Sequence, residues 1–457
     1  MSSLPKLTFL NHASFQIETE NSILIVDPWL QGTAFNEGWS LLDSSTSNER
    51  LAHELECSAK DIYIWYSHEH SDHFSVPFIK LLKKNAIKPT FIFQKTLDKR
   101  VSSFLKKDGF PVIEPSDGEN VFVDDDLSIA TWPYSGGDSF CLIRAQEWSI
   151  LNINDCEVKT AEDAARVRAQ ISARTTKIDF LFTQFGYAHW IGNEGDAWLR
   201  QEASREIIAR IFSQYQAFAP EFIIPFASFV YFCHPENFYM NDCQNSPASL
   251  RSAPTLRPIQ KHIKFLKPYD AVELSDREDV QAKLDQLSPA AEGHWNHLAA
   301  KAQPVAPRSA ANKSLDETRE AFQAFKNKIS KSFIFMPHLF ELIGLAKPVN
   351  ILLTDNNLAV QLSYLGDFQI HPDSDEWDVA MSTDTLNFIL KNEYGFNATL
   401  INGRFRSKDG PSAWRFAMFF RPQDFLRNGL GIKHPYASAR VFVNGLMKII
   451  RRKLGFS

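Results

Sequence analysis

The first 75 residues read as strands and turns, with the apolar positions in short runs. Leu7–Leu10, Ser14–Ile17 and Ile23–Val26 are β-prone runs, with Glu20-Asn21 as a turn between the last two. Asp61–Tyr66, rich in β-branched and aromatic residues, predicts another strand. Spacing of three and four takes over at Val76–Lys84 and Thr96–Lys107, which predicts helices. Strands then fit Thr90–Phe93, Leu127–Trp132, Phe140–Arg144, Ser149–Ile153 and Phe180–Phe182. Trp198–Phe218 reads as a helix, and Phe222–Pro225 as a strand leading into Phe229–His234. This order implies an α/β chain: two mixed sheets face to face, flanked by helices, with ligands held on loops at strand ends.

The pattern changes near residues 275–315. Leu287–Ser309 is rich in Ala and Pro and reads as a linker or a loose helical connection. We therefore expect a first domain over 1–275, a linker over 276–314 and a small α+β domain over 315–457. In that domain Leu315–Ile329 and Thr383–Lys391 are predicted helices. Val349–Leu353, Leu358–Leu362, Trp377–Met381 and Thr399–Phe405 are predicted strands. A chain of 457 residues suits two domains. Its net charge of −5 gives no basic field for nucleic acid. The five cysteines (57, 141, 156, 233 and 243) form no CxxC pair, so a reduced, cytoplasmic setting is expected. No leader-like start or bilayer-length apolar run is evident. The basic tail from Lys448 to Leu454 reads as a solvated helix end, with contact to anionic lipid as the alternative.

Directly after the strand Asp61–Tyr66 the chain reads His68-Glu-His70-Ser-Asp72-His73. Three histidines and an aspartate in six residues, out of 13 histidines in all, make a solvated polar loop the weaker reading. A loop can aim His68 and His70 at one ion, and Asp72 and His73 at a second about 3.5–4 Å away. Imidazoles and carboxylates suit zinc, iron or manganese. Asp155, at the end of Ser149–Asn154, is a candidate bridging carboxylate, or else a turn or cap aspartate. His234, in Phe-Cys-His-Pro, can complete the shell of the second metal or be structural. Asp27, opening Asp-Pro-Trp-Leu, is a candidate acceptor for a ligand's other ring nitrogen, or a turn aspartate.

Taken together, His12-Ala-Ser-Phe15, Asp27-Pro-Trp29-Leu30 and His68–His73 resemble the metallo-β-lactamase superfamily, in particular its UlaG-like and N-acyl-phosphatidylethanolamine phospholipase-like branch. The resemblance covers roughly residues 6–240 and implies an αββα sandwich. A narrower resemblance, to the metal-binding part of the CMP-N-acetylneuraminate hydroxylase family, is carried by residues 152–156 (Asn-Ile-Asn-Asp-Cys), Phe182-Thr-Gln-Phe185, and Pro225-Phe-Ala227 followed by His234-Pro235. His434-Pro435-Tyr436 matches more weakly. The paired Cys-x-His and Cys-x-x-His motifs of a Rieske iron–sulfur centre are absent from this sequence, so electrons for oxygen chemistry would come from a separate protein. The superfamily's third histidine ligand is also missing, since residues 74–154 hold no histidine. Tyr134 stands at its position, and Tyr134, Asp138 and His189 are the candidate substitutes. In its strand pattern the second domain resembles a sterol-carrier-like module, with a packing or dimerisation domain as the alternative.

The expected cofactors are two transition-metal ions, iron or zinc, the second site only partly occupied. The expected metal ligands are His68, His70, Asp72, His73, Asp155 and His234, with Asp72 or Asp155 receiving a proton in catalysis. Trp29, Tyr187, His189 and Trp190 are candidate substrate contacts, and Phe229 and Tyr231 are further aromatic ones. The favoured reading is an iron hydroxylase or oxygenase acting on a sugar or nucleotide-sugar. The alternatives are a zinc hydrolase of a phosphodiester, ester or amide, and a binding protein that has lost catalysis. No nucleic-acid or membrane partner is expected.

Overall fold

The computed structural model describes residues 3–306, 314–334, 336–344, 346–371, 375–436 and 438. Two compact units emerge: Met1–Lys95 with Lys99–Val305, and Thr96–Asp98 with Ala306–Ser457.

In the first unit a seven-stranded sheet runs in the order Ala271–Glu273, Lys6–Asn11, Ser14–Glu18, Ser22–Val26, Asp61–Tyr66, Thr90–Phe93, Val112–Ile113. It is antiparallel as far as Ser22–Val26 and parallel beyond it. A six-stranded sheet runs Phe222–Phe226, Phe180–Gln184, Trp148–Asn154, Ser139–Ala145, Leu127–Pro133, Asn120–Phe122. Its first two pairings are parallel and the rest antiparallel. The sheets pack face to face through one core, in which the rings of Phe15 and Phe182 stack at 4.3 Å. Both sheets are also covered outside. Ile25, Ile64 and Phe91 of the first meet the helices Asn48–Glu56, Val76–Lys84 and Arg100–Lys107. Trp132, Leu142 and Leu151 of the second meet the helix Ala161–Ile171. Burial on both faces explains why Ser22–Val26 and Phe180–Gln184 are buried at every position and do not alternate between apolar and exposed polar residues. The result is a helix–sheet–sheet–helix sandwich.

Several expectations change. The helix expected from Thr96 begins at Arg100, because Lys99 before it is left-handed at φ 56°. The helices Asn48–Glu56 and Ala161–Ile171 were not anticipated, although Ser47 caps the first and a Thr160–Asp163 capping box opens the second. The Ala- and Pro-rich stretch after Leu287 is helical as far as Lys301, part of a 25-residue helix from Arg277. Packing overrides composition there. Trp295 is buried, stacks on Phe229 at 3.9 Å, and donates its indole N–H to the Leu266 carbonyl at 2.8 Å. Trp295→Ala is expected to cost about 3–5 kcal/mol of stability, read as a lower midpoint in urea; an unchanged midpoint would show that this helix does not close the core.

The second unit has a five-stranded sheet in the order Asp367–Ile370, Leu358–Ser363, Val349–Leu353, Val379–Met381, Arg406–Ser407, with the helices Leu315–Ser332, Thr383–Lys391 and Gly410–Arg427. The strand expected at Thr399–Phe405 is instead the end of a helix, Gly395–Asn402. Thr399 satisfies its hydroxyl on the Gly395 carbonyl at 2.8 Å, and Gly403, left-handed at φ 66°, ends the helix. The basic tail from Lys448 lies outside the described residues. Among those described, no helix is long and apolar enough to cross a membrane.

Candidate metal centre

The strand Asp61–Tyr66 ends at a buried Ser67, and the chain then turns tightly. The backbone N–H groups of His73 and Phe74 both donate to the His70 carbonyl, at 3.0 and 2.7 Å. This turn brings three groups of ligand-type atoms together: His68, His70 and Asp138; His68, His73 and Asp155; and His12, Asp72 and His73. His68 Nε2 lies 2.9 Å from His70 Nδ1 and 3.8 Å from Asp138 Oδ1. His73 Nε2 lies 3.2 Å from Asp155 Oδ2 and 3.4 Å from Asp72 Oδ2.

Asp27 organises the loop from beneath. It is fully buried, with φ 41°. It accepts from Ser67 N–H at 2.8 Å, Ser67 Oγ at 2.7 Å and Asn154 Nδ2 at 2.7 Å, and its Oδ2 lies 3.0 Å from His73 Nδ1. His73 therefore presents Nε2 toward Asp155. Ser67 Oγ also sits 2.9 Å from His68 Nδ1, which leaves His68 Nε2 facing His70 and Asp138. Asp155 is aimed by an irregularity in its own strand. The register shifts between Asn152 and Asn154, and Asn154 is left-handed at φ 47°. The side chain of Gln184 then donates to Asp155 Oδ1 at 3.3 Å.

Of the three substitutes for the missing histidine, the structure groups Asp138 with the pair His68 and His70. Tyr134 points elsewhere, and strand alternation explains why. Ala130, Trp132 and Tyr134 share the outer face of their strand, where Tyr134 packs against Phe140 and its hydroxyl reaches the Glu157 carbonyl at 3.1 Å. Gly136 and Gly137, both at positive φ, reverse the chain in the next two residues. Gln94 donates to the carbonyls of Gly137 and Ser67, at 2.6 and 3.2 Å, pinning this turn to the histidine loop. His189 is exposed and joins no ligand group among the described residues.

His234 also joins none of these groups. Its Nδ1 accepts from Glu236 N–H at 3.2 Å and lies 3.3 Å from the Glu236 carboxylate. The third member beside Asp72 and His73 is His12, which the sequence reading does not include among the candidate ligands. His12 sits in the turn between the first two strands at φ 37°, and its Nε2 is 3.4 Å from Asp72 Oδ2. The available signal was a histidine at a strand end in the same motif family as Asp27 and His68–His73. Two expected substrate contacts are core residues instead. Trp29 is buried edge-on to His12, and Tyr187 is buried with its hydroxyl on the Met240 carbonyl. Trp190 is half-buried. Phe229 is buried under Trp295, and Tyr231 is half-buried.

These residues fit metal ions. His12 Nδ1 and Nε2 and Asp72 Oδ1 are buried with no hydrogen-bond partner, a costly state unless something else engages them. Burial opposes the charge on Asp72, yet His73 and His12 outweigh it and hold its pKa well below the usual carboxylate value. Burial likewise works to lower His73, but Asp72, Asp155 and Asp27 raise it well above the ordinary histidine value. A metal held at His73 would therefore compete with its proton, and its uptake would release protons.

Residues 6–199 match the family described as the beta-lactamase superfamily domain. With the four-layer sandwich and the histidine loop, this makes the first unit a metallo-β-lactamase-fold domain, of the metalloenzyme class. Within that class the chain is similar to cytidine monophosphate-N-acetylneuraminic acid hydroxylases. It is 23% identical to that of Asterias rubens over 299 residues, 62% of this chain and 43% of that protein. The Mus musculus hydroxylase is 42% identical over 81 residues, 17% of this chain and 13% of the relative. The matched stretch thus spans less than half of each relative. Among solved structures, CmlA, a diiron beta-hydroxylase from Streptomyces venezuelae, superposes with a TM-score of 0.39 at 15% identity, covering 60% of this chain and 54% of that one.

Proposed function

We propose that the first unit is a metal-dependent enzyme with a two-metal centre, and that it is a non-haem iron hydroxylase or oxygenase acting on a sugar or nucleotide-sugar. One observation carries the choice of chemistry. His68 and His70 are joined by a carboxylate, Asp138, and not by a third imidazole. Two histidines and one carboxylate, with the remaining positions open, is the ligand set of iron(II) oxygenases. Iron bound there supplies oxygen activation, with electrons from a separate protein. His68, His70 and Asp138 hold one ion. Asp72, His73 and Asp155 hold the other, with His12 at hand. Asp155, whose side chain is 17% exposed, is the more accessible of the two carboxylates for receiving a proton; Asp72 is sealed in. A hollow of about 620 Å³, lined by Asp138, Tyr134, Glu157 and Arg166, adjoins the centre and has the size of a small-molecule site. The sugar-nucleotide class is supported by the likeness to the sialic acid hydroxylases.

The test is metal analysis of the purified full chain, followed by oxygen uptake with a reductant and a nucleotide-sugar. Iron with substrate-dependent oxygen uptake supports the proposal. Zinc with turnover of a phosphodiester or ester supports a hydrolase, and a chain that takes up no metal would leave a binding protein. Asp138→Ala is expected to weaken one ion by about 10-fold or more, while Tyr134→Phe leaves metal content unchanged. Equal metal content in the Asp138 variant would remove that residue from the ligand set.

A further inference from the structure

The helix Ala197–Phe218 carries two buried arginines with opposite circumstances. Arg200 is fully buried and fully used. Its five N–H groups meet both Asp242 oxygens and the carbonyls of Ile191, Asn193 and Glu194. Arg210 is 6% exposed and makes a single hydrogen bond, from Nη2 to Gln184 Oε1 at 3.2 Å. Its Nε is buried without a partner. Among the described residues no carboxylate lies within ion-pair distance of it. A buried guanidinium lacking a counter-charge is strongly unfavourable, and a fold keeps one where something else supplies the anion.

Its surroundings indicate what that is. Gln184 bridges Arg210 to Asp155, accepting from the guanidinium and donating to the carboxylate, so Arg210 stands one residue behind the metal ligands. The titratable groups acting on it are Glu157, Asp155 and Tyr134, and Glu157 and Tyr134 line the hollow beside Asp138. Arg166, the hollow's own cation, is a weaker candidate: it is exposed and already paired with Asp163 at 2.9 Å.

We propose that Arg210 is the anchor for an oxyanion, phosphate or carboxylate, of the substrate that the metal centre processes. This rests on the enzyme reading above and narrows the substrate to an anionic one. The planar fork of a guanidinium matches either oxyanion: its two edges pair Nη2 with Nε or with Nη1, and the single bond from Nη2 to Gln184 leaves one edge open for two parallel hydrogen bonds. The anion completes the pairing that the protein leaves open, so binding of neutral analogues is disfavoured by the unpaired charge they leave behind.

The experiment titrates the zinc-loaded full chain with inorganic phosphate and, separately, with acetate at constant ionic strength, by calorimetry and by thermal shift. The wild type is expected to bind at least one of the two, and which one it binds identifies the source of the oxyanion. Arg210→Gln is expected to weaken that binding by about 10-fold or more with metal content retained. Arg210→Lys, which keeps the charge but not the fork, should lie between. If the Gln variant does not fold, a Lys variant binding as tightly as wild type would overturn the fork argument. Absence of binding to the wild type, or equal binding to the Gln variant as for an anion held by the metal alone, overturns the proposal. Metal content is measured on the same samples, so a chain without metal counts against the enzyme reading and not against the anion site.

Discussion

Replacing His73 with alanine is expected to lower metal affinity by about 10-fold or more, leaving the purified variant short of at least one ion. His73 is fully buried, and its Nε2 faces both Asp155, at 3.2 Å, and Asp72, at 3.4 Å. Its loss removes one of the two imidazoles from each of two ligand groups. It also leaves Asp72 with only His12 to offset its charge, and Asp72 is sealed from water. The two carboxylates then repel each other in the metal-free state. The variant should consequently be less stable without metal and should regain less stability on adding it. Elemental analysis of protein purified from metal-supplemented cells decides the matter; a full complement of metal in the variant would remove His73 from the ligands.

Asp27 should matter as much, though it touches no proposed ion. Asp27→Ala strips the acceptor from Ser67 N–H, Ser67 Oγ and Asn154 Nδ2 and frees His73 Nδ1, all in a buried setting. Unpaired buried donors cost about 1–3 kcal/mol each, more beside a charge, so a loss of about 3–5 kcal/mol is expected. Asp27→Asn separates orientation from packing. It keeps the shape but turns an NH₂ toward groups that already donate, so folding should survive better than in the alanine variant. Metal affinity should still fall about 10–100-fold, because His73 loses the partner that sets its tautomer and ring angle. Chemical denaturation and metal titration of both variants test this. Wild-type metal affinity in Asp27→Asn would show that the carboxylate serves packing alone.

Much of the first unit was legible in the residues themselves. Period-two and continuous apolar runs marked most of its strands, since a pleated strand exposes successive side chains to opposite faces whatever lies beyond it. Asp61–Tyr66 and Val76–Lys84 have the predicted bounds. The histidine loop was legible for the same local reason: four ligand-type residues within one turn are neighbours in any fold. Failures came where neighbours in space are distant in sequence. The residues after Leu287 look like a linker until Trp295 meets Phe229, and Thr399–Phe405 looks like a strand until Gly403 is seen to end a helix. No local signal told that Asp138 would turn toward His68 while Tyr134 faced the outer helix; strand parity and a Gly-Gly reversal decided it. Nor could the sequence alone place His12 beside Asp72, sixty residues on, or keep His234 out of the ligand groups. Arg210 is the sharpest case. In the sequence it is one charge on a long helix, like Arg200. Only the packed structure separates the arginine whose donors are all satisfied from the one left without an anion.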